Sequence, residues 1–597
     1  MKIARLFEFI DHQAAAYPKT DALAGKVDGV WKKYSTDDFI SMSRRLAHGL
    51  LAVGLNPGDK VAMISANRPE WNFADIGMQQ AGIINVPIYT TLSESEINFI
   101  LNDCGAKVVL AGDEQLFRKV EAVRAQVPSL LNIYTFDKVA GASSWEELLA
   151  AGDRSPDHAR LQAIRDGISP SSCATILYTS GTTGTPKGVM LSHHNIVSNV
   201  LAVEHLPPVD HRDTALSFLP LCHSYERVLT YLYQYLGVSV YYAESMDKIA
   251  DNLREIHPQV FSAVPRLLEK VFDRIVEKGK ELTGIKRKLF FWSLDLGLRF
   301  ELDGRNGWWY ETQLKIARRL VFAKWREALG GNTRVIVSGG AALQPRLARV
   351  FWAAGIPVLE GYGLTETSPI ISVNNFEPNG TCFTTVGPVI SGVEVRIAAD
   401  GEILCKGPNV MLGYYNRPDL TEEVIDADGW FHTGDIGTFV DNRFLKITDR
   451  KKEIFKTSGG KYIAPQAIEN KFKESSFIEQ LMVVGENRKF PGAVIVPSFA
   501  HLRKWCAEEG LHYSTDAEMI SNPAVVSRIA AEVDELNRSF SQFEQIKRFE
   551  LVGKEWTIDG GELTATLKLR RKILTERYQA LIEKIYAEEG AAVSNVN

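Results

Sequence analysis

The eleven residues Tyr178-Thr179-Ser180-Gly181-Thr182-Thr183-Gly184-Thr185-Pro186-Lys187-Gly188 constrain this chain more than any other stretch. The apolar run Ala174 to Leu177 before them reads as a buried strand, and Val189-Met190-Leu191 leads into a helix predicted from Ser192. Small residues let backbone N–H groups approach an anion closely, and such a turn can gather those donors around phosphate oxygens. The Ser and Thr hydroxyls add donors, and Lys187 adds a positive charge. A Walker A loop is excluded, because it needs Gly, four residues, then Gly-Lys-Ser/Thr. Here Pro186 precedes Lys187 and Gly188 follows it. The competing reading is a polar surface loop without a ligand; the length and specificity of the run favour a loop that handles phosphate.

At 597 residues the chain exceeds the size at which one core stops growing, so two or more domains are expected. A formal net charge of −5 offers no footprint for nucleic acid. Cys104, Cys173, Cys222, Cys382, Cys405 and Cys506 form no C-x-x-C pair, which argues against a zinc site and for reduced thiols in a cytoplasmic setting. Charge interrupts the first eight residues too early for a signal peptide. The most apolar segment, Val228 to Ala243, contains Thr230, Gln234, Gly237 and Ser239 and is a poor membrane span. A peripheral contact with the inner face of a membrane and a homodimer are left open.

In the first third, helix and strand patterns alternate. Phe39, Met42, Leu46, Leu50 and Val53 recur at helical spacing, with Thr36 expected as N-cap and Gly54 as stop. Val61–Ile64 reads as a strand, Trp71–Ala81 as a helix, Ile83–Val86 as a strand, and Ser93–Leu101 with Lys107–Leu110 repeats the unit. Such succession implies a mostly parallel sheet with helices on both faces. His223, in Leu219-Pro220-Leu221-Cys222-His223-Ser224-Tyr225-Glu226-Arg227, reads from its neighbours as a core histidine. Tyr231, Tyr233, Tyr235, Tyr241 and Tyr242 read as aromatic core, with the lining of an acyl pocket as the alternative. From about 269 to 329 a helical insertion carries Phe290-Phe291-Trp292, Trp308-Trp309-Tyr310 and the basic residues Lys278, Lys280, Lys286, Arg287 and Lys288. It reads as a solvated helical hairpin or as a surface for an anionic membrane.

The strand Arg334 to Val337 runs into Ser338-Gly339-Gly340-Ala341, the kind of strand-to-glycine turn at which open α/β sheets bind nucleotides. Further motifs follow: Glu360-Gly361-Tyr362-Gly363-Leu364-Thr365-Glu366-Thr367, Gly429 to Asp435, Asp449-Arg450-Lys451-Lys452-Glu453, Ser458-Gly459-Gly460-Lys461 and Glu562 to Arg571. Between Val386 and Thr448 short strands with Gly and Pro turns suggest a β-rich subdomain. The tail from Gly590 to Asn597 is small and polar and is expected to be disordered.

With these motifs the chain resembles, over nearly its whole length, the adenylate-forming superfamily of acyl-CoA synthetases, luciferases and peptide-synthetase adenylation domains. Within it, the sequence is most similar to long-chain fatty acid–CoA ligases. The resemblance implies an α/β fold: a large N-terminal domain with parallel-rich sheets and a β-rich subdomain (1–449), then a smaller, mobile α+β C-terminal domain (450–597). It implies ATP, Mg²⁺ and CoA as cofactor and co-substrates and a long-chain fatty acid as the acid activated. Thr179, Ser180, Gly181, Thr182, Thr183, Gly184 and Lys187 would cradle phosphate, and Gly339, Gly340, Ala341, Glu360, Gly361, Tyr362 and Gly363 would hold the nucleotide, Tyr362 stacking on adenine. Thr365 would touch the α-phosphate, Glu366 and Thr179 would hold Mg²⁺, and His223 would lie beside the carboxylate. Asp435 would bind the ribose hydroxyls and Arg450 ribose and phosphate. Lys452 would be the hinge, Gly459, Gly460 and Lys461 would approach CoA, and Lys568 would be the catalytic lysine. Ala565 stands where these ligases usually have proline, and Leu567 where the wider superfamily has glycine. A ligase for shorter or aryl acids, and one that loads a carrier protein, remain alternatives. A non-enzymatic fatty-acid-binding role is disfavoured by intact Lys568, Glu366 and Asp435. No Gly-x-Ser-x-Gly elbow is present, consistent with chemistry that needs no serine nucleophile.

Overall fold

Short runs of β-branched and apolar residues alternate with amphipathic helices in the first half of the chain, and the computed structural model folds them into parallel-rich sheets. It describes residues 3–180, 186–558, 560–564 and 568–587. Gly181, Thr182, Thr183, Gly184, Ala565, Leu567 and the tail from Gly590 lie outside the described residues. The chain divides into two compact units: Met1–Arg396, Leu404–Thr433 and Phe439–Leu445 form the first, and Ile397–Ile403, Gly434–Thr438 and Lys446–Asn597 the second.

Among the described residues the first unit holds two eight-stranded sheets. One runs Ile370–Val373, Val358–Gly363, Val335–Ser338, Val260–Ala263, Thr214–Ser217, Ser239–Tyr242, Leu23–Val27, Val30–Tyr34. Its inner pairs are parallel and its two outermost pairs antiparallel. The other runs Gly413–Tyr414, Pro186–Ser192, Cys173–Ser180, Ile84–Ile88, Lys60–Ile64, Val108–Ala111, Asn132–Thr135, Ser143–Ser144. Parallel pairing there gives way to antiparallel at Cys173–Ser180, where the phosphate-loop hairpin begins. The inner strands of both sheets are largely buried, as a sheet covered on both faces requires, whereas the edge strand Val30–Tyr34 of the first sheet has no buried residue. A four-stranded sheet, Glu394–Ile397, Glu402–Lys406, Phe431–Val440 and Phe444–Arg450, makes up the β-rich stretch.

The helix Thr36–Ala52 starts one residue away from its expected cap. Ser35, not Thr36, is the N-cap: its side chain accepts from the Asp38 N–H, and the Asp38 carboxylate accepts from the Ser35 N–H. A capping box needs an acceptor three residues on, and Thr36 has Phe39 there. The Thr36 hydroxyl instead accepts from the Lys19 N–H and donates to Gln13.

The insertion is not a solvated hairpin. It comprises the helices Pro265–Glu281, Gly284–Leu298 and Gly307–Ala317, a π-helical turn Arg318–Phe322 and the helix Ala323–Ala328. Phe290, Leu294, Tyr310, Leu314, Phe322 and Trp325 are buried in one core with Phe261 and Ile336 of the first sheet. The first two helices touch at Gly279, where a Cβ would stand 2.1 Å from the Phe290 ring. Tyr231, Tyr233, Tyr241 and Tyr242 are buried as aromatic core. No described helix is long and apolar enough to cross a membrane.

The second unit is α+β. Its three-stranded sheet, Ile478–Val484, Gly492–Pro497 and Arg548–Leu551, packs on the helices Pro465–Phe472, Phe499–Glu508, Pro523–Asn537 and Gln579–Tyr586.

Candidate active site

In the first unit the phosphate-loop hairpin sets the register for everything around it. The strands Cys173–Ser180 and Pro186–Ser192 pair antiparallel with Thr179 opposite Lys187. Gly188 is small by necessity, since a Cβ there would lie 2.8 Å from Ile176 and 3.1 Å from the Tyr178 ring. Ser192 caps the following helix through a box with Asn195. On the outer edge Tyr414 pairs opposite Val189, and the Tyr415 N–H donates to the Gly188 carbonyl at 2.7 Å. Tyr414 is a residue that motif reading missed, because one tyrosine in a turn-rich stretch carries no spacing signal. Its hydroxyl donates to Glu366 Oε1 at 2.9 Å, and Lys187 Nζ lies 5.0 Å from the centre of its ring. Burial, reinforced by the Glu366 carboxylate, holds the Tyr414 phenol well above its ordinary pKa, so it remains a donor. The Met411 N–H fixes the Glu366 carbonyl at 2.9 Å.

A second cluster meets this one at Thr365. The Ser224 and Thr365 hydroxyls are 3.3 Å apart. His223 is the N-cap of the helix Ser224–Leu236, its Nδ1 accepting from the Tyr225 N–H at 3.1 Å. The neutral imidazole therefore carries its proton on Nε2. Tyr225 donates to the Val337 carbonyl at 2.9 Å, and a Cβ on Gly339 would meet its ring at 3.3 Å. Glycine thus lets the Ser338–Ala341 turn lie against the residues after His223. Gly340 adopts φ +82°. Gly363 has no room for a side chain either, with Pro369 O 1.6 Å from where a Cβ would sit. Glu360 is buried, and burial pushes its carboxyl up to about 8. Gly361 and Tyr362 lie opposite Val373 and Ser372.

Behind His223 two successive charged residues enter the core. Arg227 donates to Asp75 at 2.5 Å and to Thr175 at 2.7 Å, and Tyr231 and Asn85 also donate to Asp75. Thr175 lies four residues before Thr179 on the same strand. Glu226 accepts from Ser217 at 2.6 Å and from Ser262, and burial pushes it up to about 7. The first turn of this helix is thereby tied to both sheets.

Thr179 and Glu366 offer the hard oxygens that Mg²⁺ prefers. Among the described residues no group of three or more His, Cys, Asp or Glu could hold a metal unaided. That donor set fits a cation that brings most of its ligands as phosphate oxygens and water.

The remaining candidates belong to the second unit. Asp435 is buried, with Arg450 Nε 3.3 Å from its Oδ1. Lys452 is exposed in the turn after the strand Phe444–Arg450. Gly459, Gly460 and Lys461 are exposed at the tip between Phe455–Lys456 and Tyr462–Ile463, Gly460 at φ +79°. Lys461 Nζ is 5.5 Å from the Phe543 ring centre. Lys568 is exposed, its N–H donating to the Thr564 hydroxyl at 3.0 Å and its carbonyl accepting from the Thr564 N–H at 2.8 Å.

The fold is that of an adenylation domain with its C-terminal companion. The adenylation domain of a carboxylate reductase from Mycobacterium chelonae superposes with a TM-score of 0.75 at 22% identity, covering 98% of this chain and 91% of that one. The chain belongs to the AMP-binding enzyme family, which matches residues 10–415, with the AMP-binding enzyme C-terminal domain matching 452–590. It is 34% identical to a long-chain-fatty-acid–CoA ligase, FadD15, of Mycobacterium bovis, over 94% of both chains. It is 32% identical to the peroxisomal long chain acyl-CoA synthetase 7 of Arabidopsis thaliana, over 99% of this chain and 87% of that one.

Proposed function

We propose that this chain is an ATP-dependent, AMP-forming ligase that joins a long-chain fatty acid to CoA. The observation that carries the reading is the Lys187–Tyr414–Glu366 arrangement on the edge of the phosphate-loop hairpin, which gathers a cation, a hydroxyl donor and a carboxylate where a nucleotide's phosphates would lie. The names of the relatives that align along nearly the whole chain support the same substrate class.

A fatty carboxylate is a poor electrophile, because its delocalised negative charge shields the carbon, so it is first activated as a mixed anhydride with phosphate. The His223 Nε2–H is the donor that orients it. One carboxylate oxygen attacks the α-phosphorus, the bond to the β-phosphate oxygen breaks, and pyrophosphate leaves. Lys187 and the loop hydroxyls hold the departing phosphates, while Thr365 and Lys568 stabilise charge at the α-phosphate. Mg²⁺, held by Thr179 and Glu366, would neutralise phosphate charge. Tyr362 holds adenine, and Asp435 with Arg450 holds the ribose. In the second half-reaction the CoA thiol loses its proton to solvent, the thiolate attacks the acyl carbonyl, the acyl–phosphate bond breaks and AMP leaves. The Gly459–Lys461 turn guides pantetheine, and the 450–597 domain turns about Lys452 between the two steps.

The partner surface in this reading is an anionic membrane, where the substrate resides. Trp308 and Trp309 are 77% and 61% exposed, and Ile316 and Leu320 continue the face of Trp308 at helical spacing. The exposed Lys315, Arg319, Lys286, Arg287 and Lys288 add positive charge.

Incubation with ATP, Mg²⁺, CoA and fatty acids of graded length tests the reading. Equal amounts of AMP, pyrophosphate and acyl-CoA are expected, with turnover greatest for long chains. ADP and phosphate as the only nucleotide products would refute it, and acyl-AMP without CoA turnover would favour a carrier-protein acceptor.

A further inference from the structure

Lys452 stands between two residues of opposite charge that are anchored in different places. Before it, Lys451 Nζ lies 2.6 Å from Asp400 and 2.8 Å from Glu402, and the Lys451 N–H donates to the Gly434 carbonyl at 2.8 Å. After it, Glu453 Oε2 accepts from Arg571 Nε at 2.9 Å and from Gln466 Nε2 at 3.1 Å. Arg571 opens the helix Arg571–Arg577, three residues past Lys568. Its Nη2 donates to both oxygens of Glu469, at 2.6 and 2.7 Å, and its Nη1 to the Val483 carbonyl at 3.3 Å. Glu469 is 4% exposed and also accepts the Val483 N–H at 2.8 Å. The guanidinium is therefore fixed to the sheet on one side and to the residue after Lys452 on the other.

The hairpin carrying Lys568 closes directly onto this anchor. Leu563 and Leu569 bridge its base, and the Arg570 N–H donates to the Glu562 carbonyl at 2.8 Å. The Glu562 carboxylate pairs with Arg577 and accepts the Thr557 N–H.

We propose that Arg571 is a positioning residue that joins the chain from Glu453 onward to the Lys568 hairpin as one rigid piece, so that the turning point of the domain is confined to the torsions of Lys452. The inference rests on the two-step ligase reading above. A side chain on an exposed hairpin has many rotamers, and its reach depends on how firmly the hairpin base is held. A hinge spread over several residues would let Lys568 arrive at many positions, whereas a hinge one residue long delivers it to one. Hydrogen bonds do cross Lys452: the Glu453 and Ile454 N–H groups both donate to the Arg450 carbonyl, at 2.9 and 3.1 Å, and the Gln466 N–H donates to the Asp449 carboxylate. Turning opens them, while the Arg571 ion pairs travel intact.

Glu453→Gln tests this, because it removes the charge facing Arg571 and leaves the pairing with Glu469 in place. Arg571→Ala is less informative, since it leaves Glu469 buried without its partner. Two partial reactions are read in the full chain: fatty-acid-dependent exchange of pyrophosphate into ATP, and acyl-CoA formation from supplied acyl-AMP. Adenylation should fall about tenfold, as expected when a reacting group is misplaced by a fraction of an ångström, with the thioester step within about twofold of wild type. Amide hydrogen exchange should rise together in 451–456 and 563–570, with an unchanged unfolding midpoint for the variant. Both partial reactions unchanged, both lowered equally, or faster exchange in only one of the two segments would overturn the proposal. Hydrogen exchange needs no substrate, so it decides the Arg571–Glu453 connection even if the product assay refutes the ligase reading.

Discussion

The two units present their candidate residues in opposite ways. In the first unit Glu366, His223 and Thr365 are half-buried, Glu366 and Thr365 held by hydrogen bonds to other elements and His223 by the helix it caps, and behind them lies the fully buried Arg227–Asp75 pair. In the second unit Lys452, Gly459, Gly460, Lys461 and Lys568 are exposed on turns, and rigidity resides one layer beneath, in Arg571 with Glu453 and Glu469. A site that must receive a nucleotide the same way every time benefits from preorganised donors. Groups that serve one step and then withdraw need access and a firm base. The difference teaches where each unit carries its energetic stakes: mutation should cost folding in the first and rate in the second.

The largest effect expected is on the fold. Asp75→Ala leaves Arg227 charged in the core, and breaking one partner of a buried pair costs about 3–5 kcal/mol. The prediction is checked by urea unfolding followed on the first unit's tryptophans. A loss below about 1 kcal/mol, the value of an exposed pair, would break the comparison by showing that water reaches this network.

Next comes rate without fold. Lys568→Ala should lower fatty-acid-dependent pyrophosphate exchange about 10²–10³-fold, equivalent to about 2.7–4 kcal/mol in the barrier. Acyl-CoA formation from supplied acyl-AMP should be largely retained, and unfolding should shift by no more than about 0.5 kcal/mol, as for an exposed side chain. Equal damage to both half-reactions would deny the second unit a step-specific role for this lysine.

Much of this division was legible in the residues and some was not. The strand Lys60–Ile64 announced itself as a short continuous apolar run, the pattern of a strand buried on both faces, and the helix Thr36–Ala52 by its 3.6-residue apolar period, the pattern of burial on one face. The phosphate-loop flanks were legible because glycine and hydroxyl residues at that density have few other uses. The polar contacts were not. Asp75, Arg227 and Glu226 are charges in largely apolar stretches whose partners lie elsewhere in the sequence, and only the tertiary fold brings Asp75 within reach of an arginine 152 positions away. Arg571 and Glu453 likewise sit 118 positions apart, each inside a charge run that by itself reads as a solvated face. The Ser35 cap was missed for a local reason: the helical apolar period starts at Phe39, and the capping box that decides the boundary lies one residue earlier. Glu366 was expected from its motif, yet the tyrosine that orients it lies 48 residues on.

A pH-resolved measurement, read one pH unit at a time, sharpens the comparison by showing that burial in the first unit extends to protonation. Glu360 is a carboxyl of the strand Val358–Gly363, and burial pushes it up from 4.5 to about 8. Its folded pKa thus exceeds its unfolded one, so the folded state keeps a proton that the unfolded state has lost. The stability this contributes is fully present below about 4.5 and is lost as pH rises towards 8, at up to about 1.4 kcal/mol per pH unit for one group. Glu360→Gln replaces the protonated acid with a neutral amide of similar shape, so its stability should carry no such term. Relative to wild type the variant should gain up to about 1.4 kcal/mol for each pH unit between about 5 and 8 and then level off. Glu226 and Asp449, both pushed up to about 7 by burial, slope the same way but are present in both proteins and cancel in the difference. Parallel unfolding curves for the two proteins, measured at pH 6, 7 and 8, would show that Glu360 is ionised and solvated, and that the strand bearing the Tyr362 motif is as open to water as the turns of the second unit.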